Sequence, residues 1–276
     1  MIPFFPNVPK LLDAIFSYQY WRKGSALFRI FAPYSAGGVL IAVLSGTQIA
    51  PKFWWAWLAC GAVCIFLIVR RISSYSMTGN KQPMYAIPLL LTVAGSGFFM
   101  IADGVFARFT VSFLLIFSLM ITTRTMARSH AAALLGKFTA HTTFMFASSV
   151  AILSVSATMS TLVVLMNFLS VAAVAVVFLC CLALSRQTMW HISKHENIRT
   201  AWEWVLSIAC MEVYALTLLL PLPIITSAAL VWCTYLLCIE FFYLRGVEQL
   251  SKRRISYVST AYAAACIIIL TTTRWP

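Results

Sequence analysis

Seven carboxylates and four histidines are spread over 276 residues, so few side chains of this chain can move a proton or hold a metal. Glu212 is the deepest acidic residue, flanked by Cys210, Met211, Val213 and Tyr214 in an apolar stretch. A charged side chain in hydrocarbon costs several kcal/mol unless it meets a cavity or a partner, which makes it a functional candidate. Glu212, Asn167 and Tyr214 are therefore read as a candidate intramembrane polar site. Glu212 is expected to face the interior, and were the chain a transporter it would serve as a proton or cation site.

The other chemistry is sparser. Glu240 lies just over one helical turn before Arg245, so it can pair along its own helix or reach the headgroup zone, and it is read as structural. In the polar stretch around Arg186 and Arg199, His191 and His195 share a helix face at i, i+4 spacing, and Arg199 and Glu203 have the same spacing. Two histidines are an incomplete metal site, and Glu196 projects about 100° away from His195 on a helix. No metal site and no cofactor are predicted. A phosphate-binding glycine loop and a Gly-x-Ser-x-Gly nucleophile motif are both missing. Whether the chain is an enzyme stays open. All eight cysteines fall in apolar stretches, where a thiol behaves as a small hydrophobe.

The elements that carry these residues follow from composition. Hydrophobic residues make up 62% of the chain and charged ones 10%, with a mean hydropathy of +0.90, against about 25% charged in a soluble domain. The reading is a single integral membrane domain over 1–276, with 1–29 as a cytoplasmic interfacial segment and 30–276 as an all-α polytopic transmembrane bundle. Leu11, Leu12, Ile15 and Phe16 are spaced for one helical face along the membrane surface. The first ten residues lack the basic-then-apolar layout of a signal peptide, so the first span is expected to act as its own targeting signal. The formal charge of +13 is dispersed in short runs between apolar segments. That pattern favours anionic membrane lipids as partners and excludes nucleic acid.

A span needs roughly 20 apolar residues. The pattern predicts about nine, at 30–48, 53–69, 85–102, 105–123, 142–158, 161–184, 204–220, 223–244 and 256–273, arranged as four hairpins plus one helix. Turns near Pro51, Gly104, Ser160 and Pro221 are tight, whereas 70–83, 124–140, 186–202 and 245–255 are longer and basic. Of the 20 Lys and Arg, only Lys52, Arg108 and Arg274 fall on the side of the tight turns. The positive-inside rule then places the N-terminus in the cytoplasm and the C-terminus outside.

Nine spans with tight outer turns and long inner loops resemble the layout of UbiA-type intramembrane prenyltransferases. That resemblance implies a pyrophosphate site on Asp-rich motifs after the second and sixth helices. Here the first such loop runs from Arg70 through Asn80 and Lys81 without a carboxylate, and the second offers only Glu196 and Glu203. Hard cations need clustered oxygen ligands, so magnesium chemistry is not expected. Lys23, Gly24, Ser25 and Ala26 through Pro33 resemble an opening motif of the YwiC-like bacterial membrane proteins. That likeness implies a multi-pass protein of the bacterial inner membrane.

The functional expectation is binding or modification of an isoprenoid or other lipid phosphate at the cytoplasmic face. Arg70, Arg71, Arg124, Arg128, Arg186 and Arg199 are the candidate headgroup contacts, expected to converge over one cavity mouth. The alternatives are a small-solute or ion transporter and a non-catalytic membrane anchor or assembly factor. Oligomeric state is not encoded legibly. Reporter fusions at Asn80, Lys137, Lys194 and Lys252 should report cytoplasm, and fusions after Lys52, Arg108 and Thr273 the outer side. A cytoplasmic signal at Thr273 would remove the last span.

Overall fold

Hydrocarbon supplies no partner for a backbone N–H or C=O, so a chain this apolar must satisfy those groups within its own segments. The computed structural model describes residues 8–74, 85–129, 137–189, 196–220, 222–246 and 252–273, and among them finds nine α-helices and no strand. They are α1 (Val8–Ile49), α2 (Trp54–Ser74), α3 (Ala86–Ile101), α4 (Val105–Ser129), α5 (Lys137–Met166), α6 (Ser170–Met189), α7 (Glu196–Leu219), α8 (Ile224–Gly246) and α9 (Lys252–Thr272). Eight contain stretches long and apolar enough to cross a membrane. The exception is α3, whose 16 residues give a length of about 24 Å.

The helices run past the expected segments at two places. The N-terminal segment is not separated from the first span: α1 is one helix of 42 residues with Pro33 inside it. Its early side chains, including Leu11 to Phe16, lie outside the described residues. The turn expected near Ser160 lies further on, between Met166 and Ser170, because Ser160 is buried inside α5. Serine and threonine hydroxyls sit well in membrane helices when they bond back one turn, as Thr161 does to the Ala157 carbonyl at 2.9 Å. Asn167 makes the real stop. It adopts φ 51°, a left-handed conformation that asparagine tolerates, and the next N–H, of Phe168, reaches the Leu162 carbonyl at 3.1 Å. At the α3–α4 turn the same role falls to Gly104, at φ 84°.

The helices form two rings of four. In the first, α1 packs on α2 and α4, and α3 packs on α2 and α4, while the diagonals scarcely touch. In the second, α5 packs on α6 and α8, and α7 on α6 and α8. The rings meet chiefly where α3 lies against α5, helped by α4 on α5 and α3 on α6. Each ring starts and finishes at the end of the bundle where the arginines gather, so the second repeats the topology of the first in parallel. Helix α9 stands outside, packed on α8, with Thr273 and Thr226 joined by a 3.0 Å hydroxyl contact.

The seam between the rings depends on small residues. Inside the first ring a Cβ on Gly95 would stand 2.6 Å from Leu115 of α4, and at the seam itself one on Gly97 would stand 2.7 Å from the Thr158 methyl. This close approach lets Thr158 Oγ1 donate to the Ala94 carbonyl across the seam at 3.0 Å. A second polar link lies at the basic end, where the Ile87 N–H in the first turn of α3 donates to buried Gln187 Oε1 of α6 at 3.0 Å. That satisfies one of the backbone donors every helix start leaves free. Thr158→Val should therefore cost about 1 kcal/mol, and Gly97→Leu more, about 2 kcal/mol or above, because it pushes the helices apart. Thermal unfolding in detergent checks this. Equal melting temperatures for Gly97→Leu and wild type would contradict the close seam.

Candidate functional site

At the basic end the charges come from helix termini. Arg70 and Arg71 end α2, Arg124 lies in the last turns of α4, Arg186 ends α6 and Arg199 opens α7. Arg70, Arg71, Arg124 and Arg186 are exposed, and Arg71 stacks over the Phe28 ring at 5.6 Å. Arg199 is buried instead, with its Nε 3.2 Å from Glu203 Oε1 on the same helix, and both side chains are under one-tenth exposed. Its charge is thus matched inside the bundle and unavailable to a ligand. The Arg128 side chain lies outside the described residues, as do Lys81, His191, Lys194 and His195.

None of these arginines is among the described residues that line a groove at this end. The groove lies between α8 and α9, has a volume of about 520 Å³, and is lined by Glu240, Leu244, Arg253, Arg254, Tyr257 and Val258. Helix α9 touches the bundle along one side only and buries almost nothing, so the groove opens sideways as well as toward the end. Arg253 and Arg254 occupy the first turn of α9 at the rim. Glu240 sits six residues before the end of α8, about 9 Å deeper. It is half-buried and makes no ion pair with Arg245, which is exposed. The local pairing open to Glu240 is replaced by a place in this groove. Adjacent arginines at the start of the last helix, antiparallel to an acidic residue near the end of the preceding one, were the available signal in the sequence.

The intramembrane set of Glu212, Asn167 and Tyr214 is not brought together. Glu212 is exposed on the outer face of α7, whereas Tyr214, two residues on and so on the opposite face, is fully buried. Asn167 is exposed in the turn after α5. The expectation that Glu212 points inward fails because the inward face of α7 is taken by Cys210, Tyr214 and Thr217. What the interior does hold is hydroxyl groups. Ser148, Ser149, Ser154, Ser156 and Ser160 of α5 are all buried, and the Tyr214, Tyr235, Ser156 and Ser160 hydroxyls have no hydrogen-bond partner among the described residues. The eight cysteines are free thiols. Among the described residues no three acidic, cysteine or histidine side chains could hold a metal ion together.

The helices, their length and their apolar surfaces define the chain as an all-α, multi-pass membrane protein. No protein-family model, no curated protein and no solved structure matches it.

The Arg199–Glu203 pair gives a test of the basic end. Removing one member of a buried pair strands the other charge and costs about 3 kcal/mol, whereas removing both together is far milder. Arg199→Met should lower the melting temperature sharply, and Arg199→Met combined with Glu203→Met should recover most of the loss. A double variant no better than the single one would contradict the pairing of these two charges.

Proposed function

We propose that the protein binds an anionic amphiphile of the lipid-phosphate class in the α8–α9 groove. The observation that carries this reading is the groove itself: a cationic rim of Arg253 and Arg254 above apolar walls of Leu244 and Val258, open toward the surrounding acyl chains. Each cation near a membrane surface contributes about 1 kcal/mol toward an anionic head, and the apolar walls suit its chain. An isoprenoid phosphate belongs to this class. Glu240, which would repel a bare phosphate placed beside it, favours a ligand that brings a hydroxyl or amine donor to that depth. The reading moves the lipid site from the arginines of the long loops to the last helical pair.

A solute transporter is the second reading. The parallel repetition of two four-helix rings supports it, since transporters of repeated architecture place their sites between repeats. The seam here is filled by the contact of Gly97 with Thr158, which favours the lipid reading.

Native mass spectrometry with phosphatidic acid, and phosphatidylcholine as control, tests the proposal. Wild type should retain phosphatidic acid preferentially. Arg253→Ala with Arg254→Ala should weaken that retention by roughly ten- to thirtyfold, on the scale of about 1 kcal/mol per cation. Arg70→Ala with Arg124→Ala should leave it intact. Equal loss from both double variants would mean a diffuse charge effect and would sink the groove as a site.

A further inference from the structure

Glu212 combines three features that do not belong together on a surface facing lipid. It is exposed, it lies seven residues before the end of α7, about 10 Å inside that end, and no hydrogen bond or ion pair reaches it among the described residues. Around it, Val205, Ile208, Leu216 and Leu219 of the same helix are also exposed. At spacings of three and four residues they form one continuous apolar stripe, with a single carboxylate set into it. A carboxylate in hydrocarbon requires a compensating group, and this chain offers none from its interior, because the inward face of α7 points away.

Among the described residues, which leave out Arg274, a second copy does not supply one either. At this end of the bundle the described cations are Lys52, in the short turn between α1 and α2, and Arg108, in the first turn of α4. Arg108 Nε is already committed to the Ala102 carbonyl at 3.0 Å, toward the end of the bundle and away from the depth of Glu212. The remaining described arginines occupy the far end. Two copies apposed through α7 would set carboxylate against carboxylate.

We infer that the α7 face around Glu212 docks a membrane-spanning helix of a different protein, one that carries a lysine or arginine within its apolar stretch. The apolar stripe supplies packing, and the charge pair fixes depth and register: the partner's cation must sit about 10 Å inside the end where α7 finishes. This pairing is independent of the lipid groove, which is lined by residues of α8 and α9 and by none of α7.

The test is a photo-reactive residue placed at Ile208 or at Leu216 of the full chain in its native membrane, with the cross-linked protein identified by mass spectrometry. The expected product is one other membrane protein with Lys or Arg inside a span. Glu212→Leu should cut the yield roughly tenfold, about 1.4 kcal/mol of association, without lowering expression or melting temperature, because the side chain is exposed. Glu212→Lys should abolish the cross-link, and exchanging the partner's cation for Glu should restore it. A cross-link between two copies of this chain, a partner whose spans lack a cation, a yield indifferent to Glu212→Leu, or no cross-link at all would each overturn the proposal. A hydrophobic carbodiimide gives a second reading: it should modify Glu212 readily in the purified chain and only weakly in native membranes. Equal modification in both would overturn it as well.

Discussion

The close approach of α3 and α5 is the contact on which the rest of the bundle depends. Lipid is as apolar as a protein core, so helices in a membrane gain little from simply burying greasy side chains against each other. What holds them is dispersion at short range and the occasional hydrogen bond, and both need backbones to come near. Gly97 removes the side chain that would prevent this, and Thr158 turns the proximity into a hydrogen bond on the Ala94 carbonyl. Two rings of four helices, each closed on itself, become one body along that line.

The short length of α3 makes sense in the same terms. It is packed by α2 and α4 of its own ring and by α5 and α6 of the other, so protein surrounds much of it. A buried helix does not have to match the full hydrocarbon thickness by itself. One of its free N-terminal donors, the Ile87 N–H, is met by Gln187 from the second ring, and this amide ties the two rings at the basic end as Thr158 ties them further along. The outermost helix has the opposite character. With one neighbour and almost no buried surface, α9 leaves a gap along α8, and the gap is where two cations and a carboxylate face each other.

Polar groups in the bundle are divided by kind. Hydroxyls go inside, many of them bonded back to their own helix, as Ser154 is to the Val150 carbonyl and Thr188 to the Leu184 carbonyl. Charges go to the ends, where Arg199 and Glu203 neutralise each other. Glu212 fits neither rule: it is exposed on the outer face of α7, short of the helix end.

The amino-acid sequence alone determined the membrane class, the helical fold, the number of long apolar segments to within the short α3, and the alternation of basic and tight connections. These follow from segment length and charge, which are properties of the chain read in one dimension. Gly104 was legible as a turn for the same local reason, while Asn167 was read as a member of an intramembrane polar site because its left-handed backbone cannot be seen in its neighbours. Only the tertiary structure decided which face of each helix is inside. In a soluble protein a hydrophobic stripe would announce it, but here exposed Leu216 and Ile208 are as apolar as buried Leu206, and the interior of α5 is lined with serine. With that signal gone, the direction of Glu212, the pairing of α1 with α4 and of α5 with α8, and the meeting of Glu240 with Arg253 and Arg254 depend on packing between segments far apart in sequence, and no local pattern encodes them.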